Sequence, residues 1–238
     1  MKTVLDLKVK IFADGADRDG MLEMASKPFI KGLTTNPTLM RKAGITSYKD
    51  FALEILSEVK NKPISFEVFS DDFDEMERQA LEIADWGENV YVKIPVMNTK
   101  QEPAYDLVEK LSNQGVKLNI TALMTNIQVR SVAARLSKSI PSYISVFAGR
   151  VADTGRDPVP QMRDAVEFLK EMPNVELIWA SPRELLNIFQ ADDVGCHIIT
   201  VTNEVLKKLE LVGKSLDEYS LETVKMFYSD AVKAGYKL

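Results

Sequence analysis

The stretch Ile64–Pro95, ISFEVFSDDFDEMERQALEIADWGENVYVKIP, contains a complete strand–helix–strand unit. The short runs at its two ends, ISFEV and VYVKIP, are rich in the Val, Ile, Phe and Tyr residues that are typical of strands. Between them, Asp72 and Glu75 form an acidic variant of the capping box that begins helices, and the apolar face that follows stops at Gly87. Alternation of this kind is typical of α/β proteins with a parallel sheet.

The same alternation extends along the chain and predicts eight strands. They span Lys10–Ala13, Phe29–Leu33, Ile64–Val68, Val90–Pro95, Val116–Thr121, Tyr143–Phe147, Val175–Ala180 and Cys196–Val201. Helical sequence lies between the strands, and the pair Thr99 and Glu102 matches a capping box that predicts a helix start there. Eight strand–helix units fit either a closed (β/α)₈ barrel or a doubly wound open sheet.

Two observations favour the barrel. The length of 238 residues is close to the roughly 250 that are typical of such barrels. An open sheet that binds a dinucleotide usually has Gly-x-Gly-x-x-Gly after its first strand, whereas this chain has DGADRD at 14–19. We therefore predict one (β/α)₈ barrel domain over residues 1–238, of which roughly 215–238 form an amphipathic C-terminal helical extension. That helix could cap the barrel or dock on a neighbouring subunit.

Composition excludes several classes of protein. The chain has 30 Lys and Arg against 35 Asp and Glu, a net charge of −5, so a basic nucleic-acid surface is not expected. Its 45% hydrophobic content is too high for a disordered chain. One Cys and one His leave no internal disulfide, no Cys-based zinc site and little for any metal site.

The apolar patterning also bears on location. No apolar run approaches the roughly 18 residues that a membrane span needs, so no membrane partner is expected. The N-terminal sequence MKTVLDLKVKIF has charges inside its apolar stretch and no small-residue cleavage site, unlike a signal peptide. We predict a cytoplasmic protein.

Polar residues recur where the predicted strands end, which is where barrels place their active sites. They are Asp14, Asn36, Glu67, Lys93, Asn119, Thr121, Ser145, Arg150, Ser181 and Arg183. Loops are polar in general, and that alternative is the favoured explanation for any one of these residues taken alone. It works poorly for Glu67 and Lys93, which lie inside apolar runs.

Lys93 is the strongest candidate for chemistry. Alternation places it on the inward face with Tyr91 and Pro95, and burial disfavours the charged form of an amine. A lysine that is partly uncharged can attack a carbonyl and form a Schiff base. A buried ion pair with Glu67 on the neighbouring strand is the alternative, and the two hypotheses are compatible.

The remaining candidates have simple alternatives. Arg150, Ser181 and Arg183 suit a phosphate group, because arginine donates to phosphate oxygens in a planar fork. Salt bridges to local acids such as Asp153 and Glu184 would explain the two arginines equally well. Cys196 and His197 are interpreted as packing residues, and Trp86 and Trp179 as core or interface residues. Lys31 is interpreted as a surface or rim residue, and Lys117 lies at the amino end of its strand, which argues against a role in the site.

These residues, in this order, resemble the transaldolase family, and particularly its short-chain branch that includes fructose-6-phosphate aldolases. The resemblance extends nearly from Ile11 to the C-terminus. Its most specific segments are GLTTNPTL at 32–39, VYVKIP at 90–95, LNIT at 118–121, SVFAGR at 145–150 and ASPR at 180–183. The first two together are hard to meet by chance.

The resemblance implies a role for each matching residue. Lys93 matches the Schiff-base lysine, and Asp14 the group that takes and returns the proton of the C4 hydroxyl. Glu67 matches the carboxylate that assists carbinolamine dehydration through a water, and Thr121 the residue that holds this water. Residues that match substrate-positioning groups are Asn36, Asn119 and Ser145, with Phe147 beside them, and those that match the phosphate site are Arg150, Ser181 and Arg183. No metal or organic cofactor is implied.

Four positions bear on the reaction. Gly15 and Val146 stand where the family usually has threonine and proline, which could alter substrate preference. The aldolase branch tends to have Gln and Tyr where this chain has Glu67 and Phe147, so the resemblance favours the transferase. The expected activity is transfer of a three-carbon ketol unit from a phosphorylated ketose to a phosphorylated aldose, by a homo-oligomer. The alternatives are an aldolase that releases free dihydroxyacetone, and a barrel that only binds sugar phosphates.

Overall fold

A computed structural model describes residues 3–237 of the chain and contains the predicted (β/α)₈ barrel. Eight parallel strands pair in chain order, and the last pairs with the first to close the barrel. The strands are β1 (Lys10–Asp14), β2 (Ile30–Thr34), β3 (Ile64–Glu67), β4 (Val90–Pro95), β5 (Leu118–Leu123), β6 (Ser142–Val146), β7 (Val175–Trp179) and β8 (Ile198–Thr202).

Helices connect consecutive strands on the outside of the barrel. They are α1 (Arg18–Ser26), α2 (Pro37–Lys42), α3 (Tyr48–Glu58), α4 (Phe73–Ala84), α5 (Tyr105–Asn113), α6 (Asn126–Ala133), α7 (Ala148–Asp153), α8 (Pro158–Leu169), α9 (Leu186–Asp193), α10 (Asn203–Leu206) and α11 (Leu216–Ala234), with 3₁₀ turns at Val4–Asp6 and Lys207–Leu211. None of these helices, within residues 3–237, is long and apolar enough to cross a membrane.

The alternation of the strands sorts their residues into two packed layers. Outward-facing residues, such as Phe66 and Val92, are fully buried between the strands and the helices. Inward-facing aromatic residues form a separate cluster inside the barrel, in which the rings of Tyr91 and Tyr143 stack with centroids 4.0 Å apart. Phe12 meets the ring of Tyr143 edge-on. This aromatic layer lies on the amino side of the polar residues, which face the carboxyl ends of the strands.

Helix caps place residues next to the strand ends. Asp72 accepts a hydrogen bond from the backbone N–H of Glu75 and begins α4, as predicted. Asn36 caps α2 in the same way, and Pro37 follows it at the first helical position. The side-chain oxygen of Asn36 accepts the capping hydrogen bond, so its side-chain NH₂ group is free to face the barrel mouth.

The helix start predicted at Thr99 and Glu102 is wrong. Thr99 donates from both its backbone N–H and its hydroxyl to Asp71, while Glu102 accepts from the side chain of Asn98. These contacts hold a loop, and α5 begins only after its N-cap residue, Ala104. Thr99 matched the capping-box pattern although its partner, Asp71, is 28 residues away, and Glu102 is bonded to Asn98 in the same loop.

The predicted C-terminal helix is present as α11, with Ser215 as its N-cap and Gly235 in the left-handed conformation at its end. No described residue of α11 is buried, so the helix does not cap the barrel. Its exposed apolar residues include Leu221, Val224 and Phe227. Residue 238 of the predicted extension lies outside the described residues, as do residues 1 and 2 of the predicted domain. That the whole chain forms one domain stays a prediction.

Candidate active site

A cavity of about 490 Å³ opens at the carboxyl ends of the barrel strands. All eleven residues singled out from the sequence line it: Asp14, Asn36, Glu67, Lys93, Asn119, Thr121, Ser145, Phe147, Arg150, Ser181 and Arg183. They come from distant parts of the chain, and parallel pairing of the strands brings them together. Thr34, Thr200 and Thr202 also line the cavity.

Lys93 lies at the base of this cavity and is 6% exposed. Its ammonium donates to the carbonyl oxygen of Thr35 at 2.7 Å and lies 3.0 Å from Oε2 of Glu67. Glu67 and Lys93 are register partners on β3 and β4, so their side chains leave the strands side by side. The predicted burial of Lys93 and its predicted pairing with Glu67 are both observed. By contrast, Lys31 and Lys117 donate to backbone carbonyls elsewhere.

Asp14 reaches the cavity from β1 and is held by two donors from the end of β2. The hydroxyl of Thr34 donates to Oδ1 at 2.7 Å, and the amide of Asn36 donates to Oδ2 at 3.3 Å. Burial raises the pKa of the Asp14 carboxyl, and the ammonium of Lys93 and the hydroxyl of Thr34 offset part of that effect. A carboxyl with a raised pKa can both take up and release a proton closer to neutral pH.

Asn119 on β5 links β3 and β6 inside the barrel. Its amide donates to the hydroxyl of Ser65 at 3.0 Å, and its carbonyl oxygen accepts from the hydroxyl of Ser145 at 2.7 Å. Because both ends of the amide have partners, its orientation next to Lys93 is fixed. Ser65 was not predicted, although its position two residues before Glu67 on the inward face was a usable signal.

Thr121 contributes a hydroxyl that has no protein hydrogen-bond partner within residues 3–237. Its hydroxyl is buried, and the residue is 2% exposed. Since buried polar groups are nearly always hydrogen-bonded, a hydroxyl that lines a cavity in this way marks a position for a bound water or a substrate oxygen.

Tyr48 holds the backbone of Glu67 and was also missed. The N–H of Glu67 donates to the Tyr48 hydroxyl at 2.7 Å, and that hydroxyl donates to the carbonyl oxygen of Glu67 at 2.8 Å. Register pairing of β2 with β3 ends at Ser65, so the tyrosine takes the place of a strand partner. Burial raises the pKa of Tyr48, which keeps the hydroxyl protonated and able to donate.

The opposite side of the cavity contains the two predicted arginines. The guanidinium of Arg150 lies over the ring of Phe147, 5.6 Å from its centroid. Arg183 forms a two-pronged ion pair with Asp153, in which Nε lies 2.9 Å from Oδ1, and this pair lowers the pKa of Asp153. The salt-bridge alternative therefore holds for Arg183, which nevertheless lines the same cavity as Ser181.

A close backbone contact fixes this side of the site. Ser181 adopts a left-handed conformation with φ of 58°, and its carbonyl oxygen approaches Gly149. A Cβ atom added to Gly149 would lie 1.6 Å from that oxygen, so only glycine fits there. The start of α7 is thereby held against the segment that contains Ser181 and Arg183.

Cys196 and His197 lie near the amino end of β8, away from the cavity. The thiol of Cys196 is buried, which raises its pKa to about 12, and it donates to backbone carbonyls. Nδ1 of His197 accepts from the backbone N–H of Leu177 at 3.0 Å. Both are packing residues, as predicted. Within residues 3–237, no group of three or more His, Cys, Asp or Glu side chains is arranged to hold a metal ion.

The fold and the cavity define a (β/α)₈-barrel protein with a polar site at the carboxyl ends of its strands. A solved structure described as a putative phosphonomutase from Burkholderia cenocepacia J2315 has the same fold. It has a TM-score of 0.56 and 9% identity, and the match covers 95% of this chain and 94% of that chain. At that identity the likeness concerns the fold alone.

Sequence comparison shows the family. A model of the family described as Transaldolase/Fructose-6-phosphate aldolase matches residues 11–238. A protein named "Probable transaldolase" from Thermoanaerobacter sp. (strain X514) is 34% identical over 234 residues, which is 97% of this chain and 100% of the relative. Another of that name, from Herpetosiphon aurantiacus, is 32% identical over 90% of this chain and 92% of the relative. The chain belongs to the Transaldolase/Fructose-6-phosphate aldolase family.

The buried ion pair of Lys93 and Glu67 can be tested without measuring activity. Glu67→Ala leaves the ammonium of Lys93 buried without its counter-charge, and removing one partner of a buried pair costs about 3–5 kcal/mol of unfolding free energy. Adding Lys93→Met removes both charges and should recover most of that loss. Urea unfolding of the two single variants and the double variant measures the difference.

An exposed pair provides the control. Glu23 and Lys27 lie 2.9 Å apart on the surface of α1, and Glu23→Ala should cost less than about 1 kcal/mol. A double variant as unstable as Glu67→Ala alone would show that the buried charge is not the source of the loss.

Proposed function

We propose that the protein is a transaldolase that moves a dihydroxyacetone unit between sugar phosphates through a Schiff base on Lys93. The donor is a phosphorylated ketose, and the acceptor is a phosphorylated aldose. The observation that supports this most strongly is the buried amine of Lys93, with Glu67 at 3.0 Å and Asp14 on the wall of the same cavity. Membership of the family, and the names of the relatives, agree with it.

The first step is attack of the Lys93 nitrogen on the C2 carbonyl of the ketose. The ammonium must first lose a proton, and Oε2 of Glu67 is close enough to accept it directly. The resulting carbinolamine loses its hydroxyl as water when Glu67 returns a proton to that oxygen, and the iminium forms. The unpartnered hydroxyl of Thr121 would hold the water that relays this proton.

Asp14 acts as the base when the carbon–carbon bond breaks and as the acid when a new one forms. It takes the proton of the C4 hydroxyl, the C3–C4 bond breaks, and the bonding electrons move into the iminium to form a three-carbon enamine. The new aldehyde leaves as an aldose phosphate. In the second half, the enamine carbon attacks the acceptor aldehyde and Asp14 returns its proton to the new hydroxyl. Addition of water to the iminium then releases the product ketose and the amine. The raised pKa of Asp14 suits both of its roles.

The other residues of the cavity position the substrate. Asn36, Asn119 and Ser145 present amide and hydroxyl groups around Lys93, where the hydroxyls of the three-carbon unit would lie. Arg150 and Arg183, with the hydroxyl of Ser181, are across the cavity and would bind the phosphate group. Asp153 holds the Arg183 guanidinium in place, which reduces the entropy lost when phosphate binds.

The proposal extends to the setting in which the enzyme works. We place it in the cytoplasm, where its sugar phosphate substrates are formed. We also propose a homo-oligomer, in which the exposed apolar residues of α11 pack on a neighbouring copy.

The activity is tested by following a ketose phosphate donor, such as fructose 6-phosphate, with and without an aldose phosphate acceptor. A new ketose phosphate should form only when the acceptor is present, and free dihydroxyacetone should stay a minor product. Lys93→Met should abolish turnover, because the amine that bonds to substrate is gone. Lys117→Met, which changes a lysine outside the cavity, is the matched control.

Two results would contradict the transferase. Free dihydroxyacetone as the main product would make the protein an aldolase. Binding without turnover across a panel of ketose and aldose phosphates would leave a barrel that only binds them.

The phosphate site is tested by Arg150→Ala. A hydrogen bond to a charged group is worth about 1.5–3 kcal/mol, so KM for a phosphorylated acceptor should rise about 10- to 100-fold. KM for the same aldose without its phosphate should change little. Arg130→Ala is the control, because Arg130 also lies over a phenylalanine ring, that of Phe168, but outside the cavity. Equal changes in KM for both acceptors would remove Arg150 from the phosphate site.

A further inference from the structure

Two buried threonines and the partly buried carboxylate of Asp14 form a series of hydrogen bonds, which we call the threonine chain, across the first, second and last strands of the barrel. The hydroxyl of Thr200 on β8 lies 2.5 Å from the hydroxyl of Thr34 on β2, and the Thr34 hydroxyl lies 2.7 Å from Oδ1 of Asp14 on β1. Thr34 and Thr200 are 3% and 7% exposed. Neither threonine has a role in the reaction described above.

The direction of the chain follows from counting protons. An ionised carboxylate only accepts hydrogen bonds, so the single hydroxyl proton of Thr34 points to Asp14. Thr34 must then accept in its contact with Thr200, and Thr200 must donate. In the threonine chain, Thr200 therefore donates to Thr34, and Thr34 donates to Oδ1 of Asp14.

This direction makes the two oxygens of Asp14 unequal. A proton on Oδ1 would force the Thr34 hydroxyl to turn towards Thr200, and the Thr200 proton would then need a different acceptor. Within residues 3–237, the hydroxyl of Thr200 has no hydrogen-bond partner besides Thr34. Oδ2 has only the longer bond from Asn36, at 3.3 Å. Protonation on Oδ2 leaves both hydrogen bonds of the threonine chain intact.

We propose that Thr200 is a positioning residue for the reaction, which fixes the Thr34 hydroxyl as a donor to Oδ1 so that Asp14 accepts and returns the substrate proton on Oδ2. The inference rests on the proposed function of Asp14 as the proton-transfer group. Thr200 acts through Thr34 and does not itself react.

Loss of the Thr200 hydroxyl has an effect of defined sign. The charged groups that act on Asp14 are Lys93 on β4 and Glu67 on β3, and both stay when Thr200 is changed. The bond from Thr34 lowers the pKa of Asp14, and a Thr34 hydroxyl that no longer accepts a hydrogen bond from Thr200 is less polarised and donates a weaker bond to Oδ1. The pKa of Asp14 should therefore rise. A base must be ionised to accept a proton, so the acid limb of the kcat/KM profile should move to higher pH.

The experiment compares Thr200→Val, which keeps the shape and removes the hydroxyl, with Thr200→Ser, which keeps the hydroxyl. For Thr200→Val we expect the acid limb to move up by a few tenths of a pH unit, because losing the polarising donor weakens one hydrogen bond to the charged base by about 10–30%. For Thr200→Ser the limb should stay at the wild-type position. Thr202→Val is the control for the same strand, since Thr202 lines the cavity but is not part of the threonine chain.

Borohydride trapping separates this inference from the proposed function. Schiff-base formation uses Lys93 and not the threonine chain, so Thr200→Val should still be trapped by a ketose phosphate. If the wild type is not trapped, the proposed function fails. If both are trapped and the limb of Thr200→Val coincides with that of the wild type, the inference fails alone. A shift in Thr200→Ser as large as that in Thr200→Val would also overturn it. If Thr200→Val does not fold, Thr200→Ala takes its place with the same expected shift.

Discussion

The ion pair between Lys93 and Glu67 is the interaction on which the site depends. Removing an ammonium and a carboxylate from water costs several kcal/mol for each ion, and their attraction repays this only with close geometry and further hydrogen bonds. The 3.0 Å contact and the additional acceptor, the Thr35 carbonyl oxygen, meet that condition. The same arrangement holds the Lys93 nitrogen largely out of bulk water and in contact with a carboxylate, so one constraint serves both the fold and the proposed chemistry.

Residues around Lys93 and Glu67 hold the two side chains in place. Tyr48 takes the place of a strand partner at the end of β3, and Asn119 on β5 joins β3 to β6 beside Lys93. The stacked rings of Tyr91 and Tyr143 fill the interior one layer below. Lys93 and Glu67 therefore meet in a rigid frame, and precise positioning of reacting groups requires such a frame.

Much of this could be predicted from the chain alone. The eight apolar runs located the strands to within about two residues, because period-two alternation and turn residues are local signals. Lys93 stood out in the sequence, since a charged residue inside the apolar strand VYVKIP is rarely buried without a partner. What could not be predicted depends on register across strands. The contacts of Ser65, Tyr48 and Thr200 become visible only when the barrel closes. The capping-box error at Thr99 has the same origin, because its partner Asp71 is distant in sequence.

The central claim is that the nitrogen of Lys93 bonds to the substrate. It is tested most directly by reducing the protein with borohydride in the presence of a ketose phosphate, followed by mass spectrometry with peptide mapping. We expect a single adduct, with the mass of the reduced substrate or of its three-carbon fragment, on the peptide that contains Lys93. An adduct on another lysine, or no adduct with any ketose phosphate that the enzyme turns over, would contradict it.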